Sequence, residues 1–438
     1  MVVHDGHNYY APPLQLCHNS CVSRHNIDAH ESYKMETLPI EIIQEVTNYL
    51  CPRDTTAVSE TCRYLKEAHR TVTRCLRPLE TPDETHQALV AFPNVTNLTL
   101  HGPPYLFPDI PLKTLKLVVD GACAIDDLRK YTSLSSLTLT DTVEGYQPLL
   151  GMPNLSELEL RIDEPYNGRE NLDNPSLTRL RIHGRSLIRR GIIARNLRIL
   201  DAENVILDQT VFLPNLRVLR CMTITANLSL PTLEILGLTL GGQLSTLDAP
   251  LVRKLYVNVL PGEESPFGRY PNIQELWLHS SNIPFQILAA DLLRMPLRAI
   301  SIMIPETDEP VPVDVANIIG IPTLESISLF PTNMRHVWSL EFWRPTLFRN
   351  VRKLNISNTN IPDSVLVNMD LIQVLIIPGS MNITDYGICT LLQKRQSALY
   401  KINVEYCSNL TEDSLRAIQE HCHQYRFSSS CVEIVVLD

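Results

Sequence analysis

Leu112-Lys113-Thr114-Leu115-Lys116-Leu117, Leu134-Ser135-Ser136-Leu137-Thr138-Leu139, Leu155-Ser156-Glu157-Leu158-Glu159-Leu160 and Leu233-Glu234-Ile235-Leu236-Gly237-Leu238 share one spacing. If the first apolar residue is position 0, apolar residues stand again at +3 and +5. The pattern recurs sixteen times, starting at Val95, Leu112, Leu134, Leu155, Leu177, Leu197, Leu216, Leu233, Val252, Ile273, Leu297, Leu324, Val351, Ile372, Leu399 and Val432. The mean interval is about 22 residues, inside the roughly 20 to 29 residues of one class of repeat array. Physically, +3 and +5 of each copy point inward from a short strand. The strands stack in parallel because a lone copy cannot bury its own apolar face. Positions +2, +4 and +6 then face the other, concave side.

This spacing resembles the leucine-rich repeat, which implies an α/β solenoid of about sixteen repeats over residues 95–438, with parallel strands on the concave face. The asparagine or cysteine usual at +8 in that family stands here only as Cys407, with Ser, Thr or Asp in several other copies. Near the C-terminus, Ile383-Thr384-Asp385-Tyr386-Gly387-Ile388 and Leu410-Thr411-Glu412-Asp413-Ser414-Leu415 each put a threonine and an acid at a helix start. Apolar residues follow at helical spacing. These copies resemble the cysteine-containing subtype, with Cys407 and Cys422 in the expected places. Earlier copies are too short for a full helix and are expected to return through turns or short helical pieces.

The chain has 438 residues, 38 basic and 48 acidic side chains, and a formal charge of −10. That balance argues against a generic nucleic-acid binder, so any basic site must be local. Apolar residues make up 44%, enough for a large core. The common signatures for dinucleotides, nucleoside triphosphates, an activated serine or a zinc protease are missing. None of the thirteen histidines sits in a nucleophile, base and orienter arrangement. No cofactor and no catalytic group is expected. No secretory signal and no apolar run of about 18 residues is visible, which points to a soluble protein without a membrane partner. Eleven scattered cysteines fit reduced thiols in the cytoplasm or nucleus better than a disulfide framework. Seven N-x-S/T sequons begin at Asn94, Asn97, Asn154, Asn227, Asn355, Asn382 and Asn409, and read as a by-product of repeat composition.

Upstream lies a different module. Pro39 suits the first turn of a helix, and Ile42, Ile43, Val46, Tyr49 and Leu50 follow on one face. After Cys51-Pro52, Asp54 caps a second helix whose Val58, Thr61, Cys62 and Leu65 share a face. Such a unit of about 40 residues is too small for a full core and needs a partner surface. Residues 35–78 resemble an F-box, on Leu38-Pro39-x-Glu41-Ile42-Ile43-x-x-Val46-x-x-x-Leu50-x-x-x-Asp54 and Val58-x-x-Thr61-Cys62-Arg63-x-Leu65. The resemblance implies that Leu38, Pro39, Ile42, Ile43, Val46, Leu50 and Val58 pack within the F-box or against a Skp-type adaptor, which connects to a cullin. Thr55 stands where the family has leucine, and Leu65 where tryptophan is common. The bland alternative is a helical cap on the solenoid. Residues 79–94 read as a linker or cap, and 1–34 as a disordered leader, with Met35 an alternative start. In that leader Cys17, Cys21, His25 and His30 are too closely spaced for the usual two-Cys, two-His zinc fold, and no metal site is assigned.

The F-box and repeats together imply the substrate-recognition subunit of a Skp-cullin-F-box ubiquitin ligase, itself non-catalytic. The competing reading is an intracellular repeat scaffold or inhibitor with no ubiquitin link. An extracellular receptor fragment fits less well, because signal and disulfides are missing. The concave face is expected to show Glu157, Glu159, Arg161, Arg179, Arg181, His183, Asp201, Glu203, Arg220, Tyr256, Trp277 and His279. Of these, Arg179, Arg181, Arg220, Tyr256 and Trp277 are the candidate target contacts, since interface hot spots favour Trp, Tyr and Arg. Arg179, Arg181, Arg185, Arg189, Arg190, Arg195 and Arg198 form a run without an acid, which suits an acidic or phosphorylated protein target better than nucleic acid.

Overall fold

The computed structural model describes most of residues 75–436. Residues 1–74 lie outside the described residues, as do 80–88, 91–93, 102–110, 119–127, 143–148, 162–168, 172–173, 184–187, 208–210, 241–243, 245–246, 261–264, 282–289, 305–312, 332–341, 394–398, 429–432, 437–438 and a few single positions. The leader and both helices expected to carry Leu38, Pro39, Ile42, Ile43, Val46, Leu50 and Val58 therefore fall outside it. The described residues belong to one contact unit, Thr73–Asp438.

That unit is a parallel-strand solenoid. Each of the first fifteen expected copies opens a strand two residues after its position 0, as in Thr114–Val118, Ser136–Thr142, Glu157–Arg161, Arg179–His183 and Lys254–Leu260. Each strand pairs in parallel with the next, and equivalent residues are aligned: Leu115 with Leu137, Leu137 with Leu158, Leu158 with Leu180. Alternation along a strand explains the burial. In Glu157–Arg161, Leu158 and Leu160 are buried while Glu157, Glu159 and Arg161 are open to solvent. The position 0, +3 and +5 side chains of successive copies thus form one continuous apolar core. Burying a leucine side chain contributes about 1.5–3 kcal/mol, and here each gains it only from the neighbouring copy.

Two ends differ from the expected repeat count. Glu433–Val436, expected as the sixteenth copy, runs antiparallel to Gln424–Ser428. The interval between them is too short for a parallel crossover, which needs about a dozen residues. The parallel strand at this end is instead Gln424–Ser428, which pairs with Lys401–Val404. At the other end, Cys75–Leu79 is a strand parallel to Asn97–His101, aligning Leu76 with Leu98 and Leu79 with Leu100. The stretch read as the end of the helical module is therefore strand at its last residues. A register shift between Leu76 and Leu79 breaks the +3, +5 spacing and hid it from the pattern.

The returning segments vary as the copy length does. Early copies return through turns, the 3-10 helix Phe267–Arg269 and short strands: Arg169–Asn171 pairs with Ile188–Ile193, and Leu228–Ser229 with Leu247–Asp248. Later copies carry helices α1 (Val313–Ile319), α2 (Asp363–Leu366), α3 (Asp385–Gln393) and α4 (Glu412–His421). In the last three copies the +7 residue, Asn358, Gly379 or Tyr406, adopts positive φ, which turns the chain from strand toward helix. Position +8 faces the core. Thr359 and Ser380 are buried there and share a 2.8 Å hydroxyl bond, and the Cys407 thiol donates to the Ile377 carbonyl.

The helices are capped between copies. Asp363, first residue of α2, accepts from Thr384 N–H and hydroxyl at 3.0 and 2.6 Å ahead of α3. Asp385 of α3 does the same for Thr411 at 2.8 and 2.7 Å, and also accepts from the Ser414 hydroxyl. Burial raises the Asp385 carboxyl pKa, but the bonds from Ser414 and Thr411 outweigh it and leave it below the usual value. An asparagine row supports the other edge. Asn154, Asn196, Asn215, Asn272 and Asn350, each one residue before a position 0, donate to the carbonyls of Thr132, Pro175, Arg195, Pro250 and Pro322 at 2.7–2.9 Å. The sequon residues Asn154, Asn382 and Asn409 all make such inter-copy bonds.

Gly387 is required by this relay, because a Cβ there would lie 2.1 Å from Asp363 Oδ1. Gly387→Ala should lower stability by about 1–3 kcal/mol from overpacking, despite a helix-propensity gain of up to about 1 kcal/mol. The clash is with one carboxylate, so in an Asp363→Ala background the same change should be neutral or stabilising. Urea midpoints of the four proteins give the coupling, and an equal loss in both backgrounds would rule the clash out.

Candidate recognition surface

The +4 positions form a single row across the sheet. Register places Lys116 beside Thr138, then Glu159, Arg181, Asp201, Arg220, Gly237, Tyr256, Trp277 and Ser301 in succession. Four of the expected contacts, Arg181, Arg220, Tyr256 and Trp277, therefore lie on one line. At about 4.8 Å per parallel strand, Arg181 and Trp277 stand about 24 Å apart along it. Arg179 lies one row away, beside Glu157. His279 is exposed at +6, whereas the side chains of Glu203, Arg185, Arg189 and Arg190 fall outside the described residues.

One half of the row is charged with alternating sign. Arg179 meets Glu157 at 3.4 Å, Arg181 lies 3.7 Å from Glu159 and 3.9 Å from Asp201, and Arg220 reaches Asp201 at 3.4 Å. The arginine run is free of acids along the chain, but on the sheet its concave members face acids from adjacent copies. Each pair is partly exposed and so contributes at most about 1 kcal/mol. The Nε atoms of Arg179 and Arg181 are buried and make no hydrogen bond.

His183 closes this half at 3.1 Å from Glu159. The hydrogen bond that the His183 ring donates to Glu159 raises the His183 pKa, with burial and Arg181 opposing and the charges of Glu159 and Asp201 assisting. The same bond lowers Glu159, against burial and with the charges of His183, Arg181 and Lys116.

The other half is aromatic. Tyr256 and Trp277 are tilted at 52° with centroids 5.7 Å apart, and Trp277 is 53% exposed. Burial, then the charge of Glu275, raises the Tyr256 pKa. Lys254 bonds Glu275 at 2.8 Å in the neighbouring row and flanks the rings. Past Trp277 the row falls to the small, buried Ser301. The two halves meet at Gly237, whose absent side chain leaves room for Arg220: a Cβ would lie 3.0 Å from Arg220 Cγ. The importance of Gly237 was not expected from sequence, though it is the only glycine at a +4 position. The surface thus offers an extended partner carboxylate and guanidinium groups at one end and an apolar shelf at the other.

Cys221 is buried and its pKa is raised, and burial pushes Cys407 and Cys422 up to about 11. Among the described residues no cluster of His, Cys, Asp and Glu could hold a metal ion, and no helix is long and apolar enough to cross a membrane.

No protein-family model and no curated protein matches the chain. Similar solved structures include the TLR13–ssRNA13 complex, at 13% identity and a TM-score of 0.48 over 78% of this chain and 57% of that one. An internalin from Listeria monocytogenes is similar at 12% and 0.34 over 86% and 93%. A leucine-rich-repeat protein of Leptospira interrogans is similar at 14% and 0.39 over 79% and 97%. The chain spans just over half the length of the first.

The His183–Glu159 pair gives a pH signature. A raised histidine pKa contributes stability that is fully present below the unfolded value of about 6.5 and is lost as pH rises through the folded value. The His183 ring, followed by NMR, should titrate above that value, and Glu159→Gln should move it down. An unchanged midpoint in Glu159→Gln would show that the pair does not set it.

Proposed function

We propose that this chain is the target-recognition subunit of a Skp-cullin-F-box ubiquitin ligase, a tether rather than a catalyst. The observation that carries the recognition half is the single +4 row from Glu159 to Trp277, continuous in strand pairing and mixed in chemistry. A half-exposed tryptophan packed on a tyrosine, beside arginines held by acids, has the composition of an interface hot spot. Arg179, Arg181, Arg220, Tyr256 and Trp277 hold a protein target on this face. Because the arginines are already paired, an acidic or phosphorylated target must exchange those pairs for its own.

The adaptor half rests on the F-box resemblance of residues 35–78. Leu38, Pro39, Ile42, Ile43, Val46, Leu50 and Val58 supply an apolar helical surface that needs a partner, and a Skp-type adaptor linked to a cullin provides it. Ubiquitin transfer then gains from raised effective concentration of the target, with no bond chemistry in this chain. The protein works in the cytoplasm or nucleus, where its thiols stay reduced.

The full chain, affinity-purified from its own cells and analysed by mass spectrometry, should bring down a Skp-type adaptor, a cullin and a target. Ile42→Glu with Leu50→Glu should remove the adaptor and keep the target. Trp277→Ala should do the reverse, weakening target capture by about 2 kcal/mol or more, roughly thirtyfold. Capture of a target without any adaptor would replace the ligase by a repeat scaffold or inhibitor.

A further inference from the structure

A second row, unrelated to the concave face, runs along the edge where the strands begin. It consists of the +1 residues: Thr178, Arg198, Arg217, Glu234, Arg253, Gln274, Arg298, Glu325 and Arg352. Each N–H donates to the carbonyl of the residue before it in the row, from Arg198 onto Thr178 to Arg352 onto Glu325, at 2.7–2.9 Å. The side chains are thus fixed at strand spacing, and Arg198 to Arg352 covers about 34 Å. All five arginines are exposed. Glu234 and Glu325 approach only Arg217 and Arg352, at 3.9 and 3.7 Å. Arg198, Arg253 and Arg298 have no ion-pair partner among the described residues. In a chain of net charge −10, this edge is a segregated basic stripe.

A groove of about 370 Å³ opens at one end of the stripe, lined by Asn196, Arg198, Asn215, Arg217 and Thr232 among others. Asn196 and Asn215 each commit one amide N–H to the carbonyls of Pro175 and Arg195, and Thr232 its hydroxyl to Pro214 and Leu216. Of the two guanidinium groups in this cleft, Arg217 lies near Glu234, whereas Arg198 has no ion-pair partner among the described residues. Guanidinium forks suit carboxylates in bidentate pairs.

We propose that this edge docks an acidic, extended polypeptide segment of a partner protein, with Arg198, Arg253 and Arg298 as its principal contacts and the groove as one terminus. The stripe matches about ten residues of extended chain in length. Between Thr178 and Arg352 the row holds no aromatic side chain, so it lacks the stacking platforms by which proteins grip single-stranded nucleic acid. Its two glutamates would meet the phosphates of a polynucleotide at every passage, whereas a polypeptide can place a neutral residue opposite each. The surface is separate from the row of Tyr256 and Trp277, so one chain can hold a target and this segment together.

Fluorescence anisotropy with a labelled twelve-residue peptide of alternating glutamate and serine and the full chain tests the proposal. Binding should weaken as salt rises, and Arg198→Glu, Arg253→Glu, Arg298→Glu combined should weaken it about tenfold or more. The triple variant changes this edge alone and leaves the concave face intact, so any binding that survives in it belongs to that face. All three arginines are exposed, and an unchanged melting curve for the triple variant confirms that it remains folded. No binding of the peptide, or full binding by a folded triple variant, overturns the proposal. An oligouridine of equal charge that binds more tightly than the peptide also overturns it, in favour of RNA.

Discussion

Everything described above depends on one packing constraint: a single copy presents apolar side chains at positions 0, +3 and +5 with nothing of its own to cover them. Leu158 is buried only because Leu137 and Leu180 lie on either side of it in register. Stability in such an array is a sum of copies and of the interfaces between them. The polar ties obey the same rule. The asparagine row, the Thr359–Ser380 hydroxyl pair and the aspartate relay through Asp363 and Asp385 all join one copy to the next.

The same constraint creates the outer face proposed for recognition. Strand alternation sends +4 outward wherever +3 and +5 go inward, so a strict core pattern produces a strict outer row whose composition is free. That freedom appears in the change from charged Glu159, Arg181, Asp201 and Arg220 to aromatic Tyr256 and Trp277, across strands whose +3 residue is leucine throughout.

Repeats of this kind are legible in sequence because the apolar period is local. The +3, +5 spacing predicted where fifteen strands begin, and the threonine and acid pairs predicted α3 and α4. What escaped was set by chain geometry or by distant partners. Cys75–Leu79 carries a register shift that spoils the spacing, and Glu433–Val436 keeps the spacing but follows too short a connection to run parallel. Arg181 looked like part of an unbalanced basic run because Glu159 and Asp201 lie about twenty residues away along the chain and one strand away in space. The basic edge was hidden for the same reason: its arginines are separated by whole copies. The recurring asparagine before position 0 was visible in Pro153-Asn154-Leu155 and Pro214-Asn215-Leu216, but its use as a donor to the previous copy required the fold.

The even pitch of the strands also acts as a vernier. An extended polypeptide advances about 3.4 Å per residue, and the rows advance about 4.8 Å per strand. The two scales come back into step after about seven residues and five strands. A straight partner laid from Arg181 to Trp277 would therefore meet equivalent side-chain positions once per seven of its own residues. Selectivity on such a surface is a matter of phase: a one-residue slip in the partner detunes every contact at once, even when its composition is unchanged.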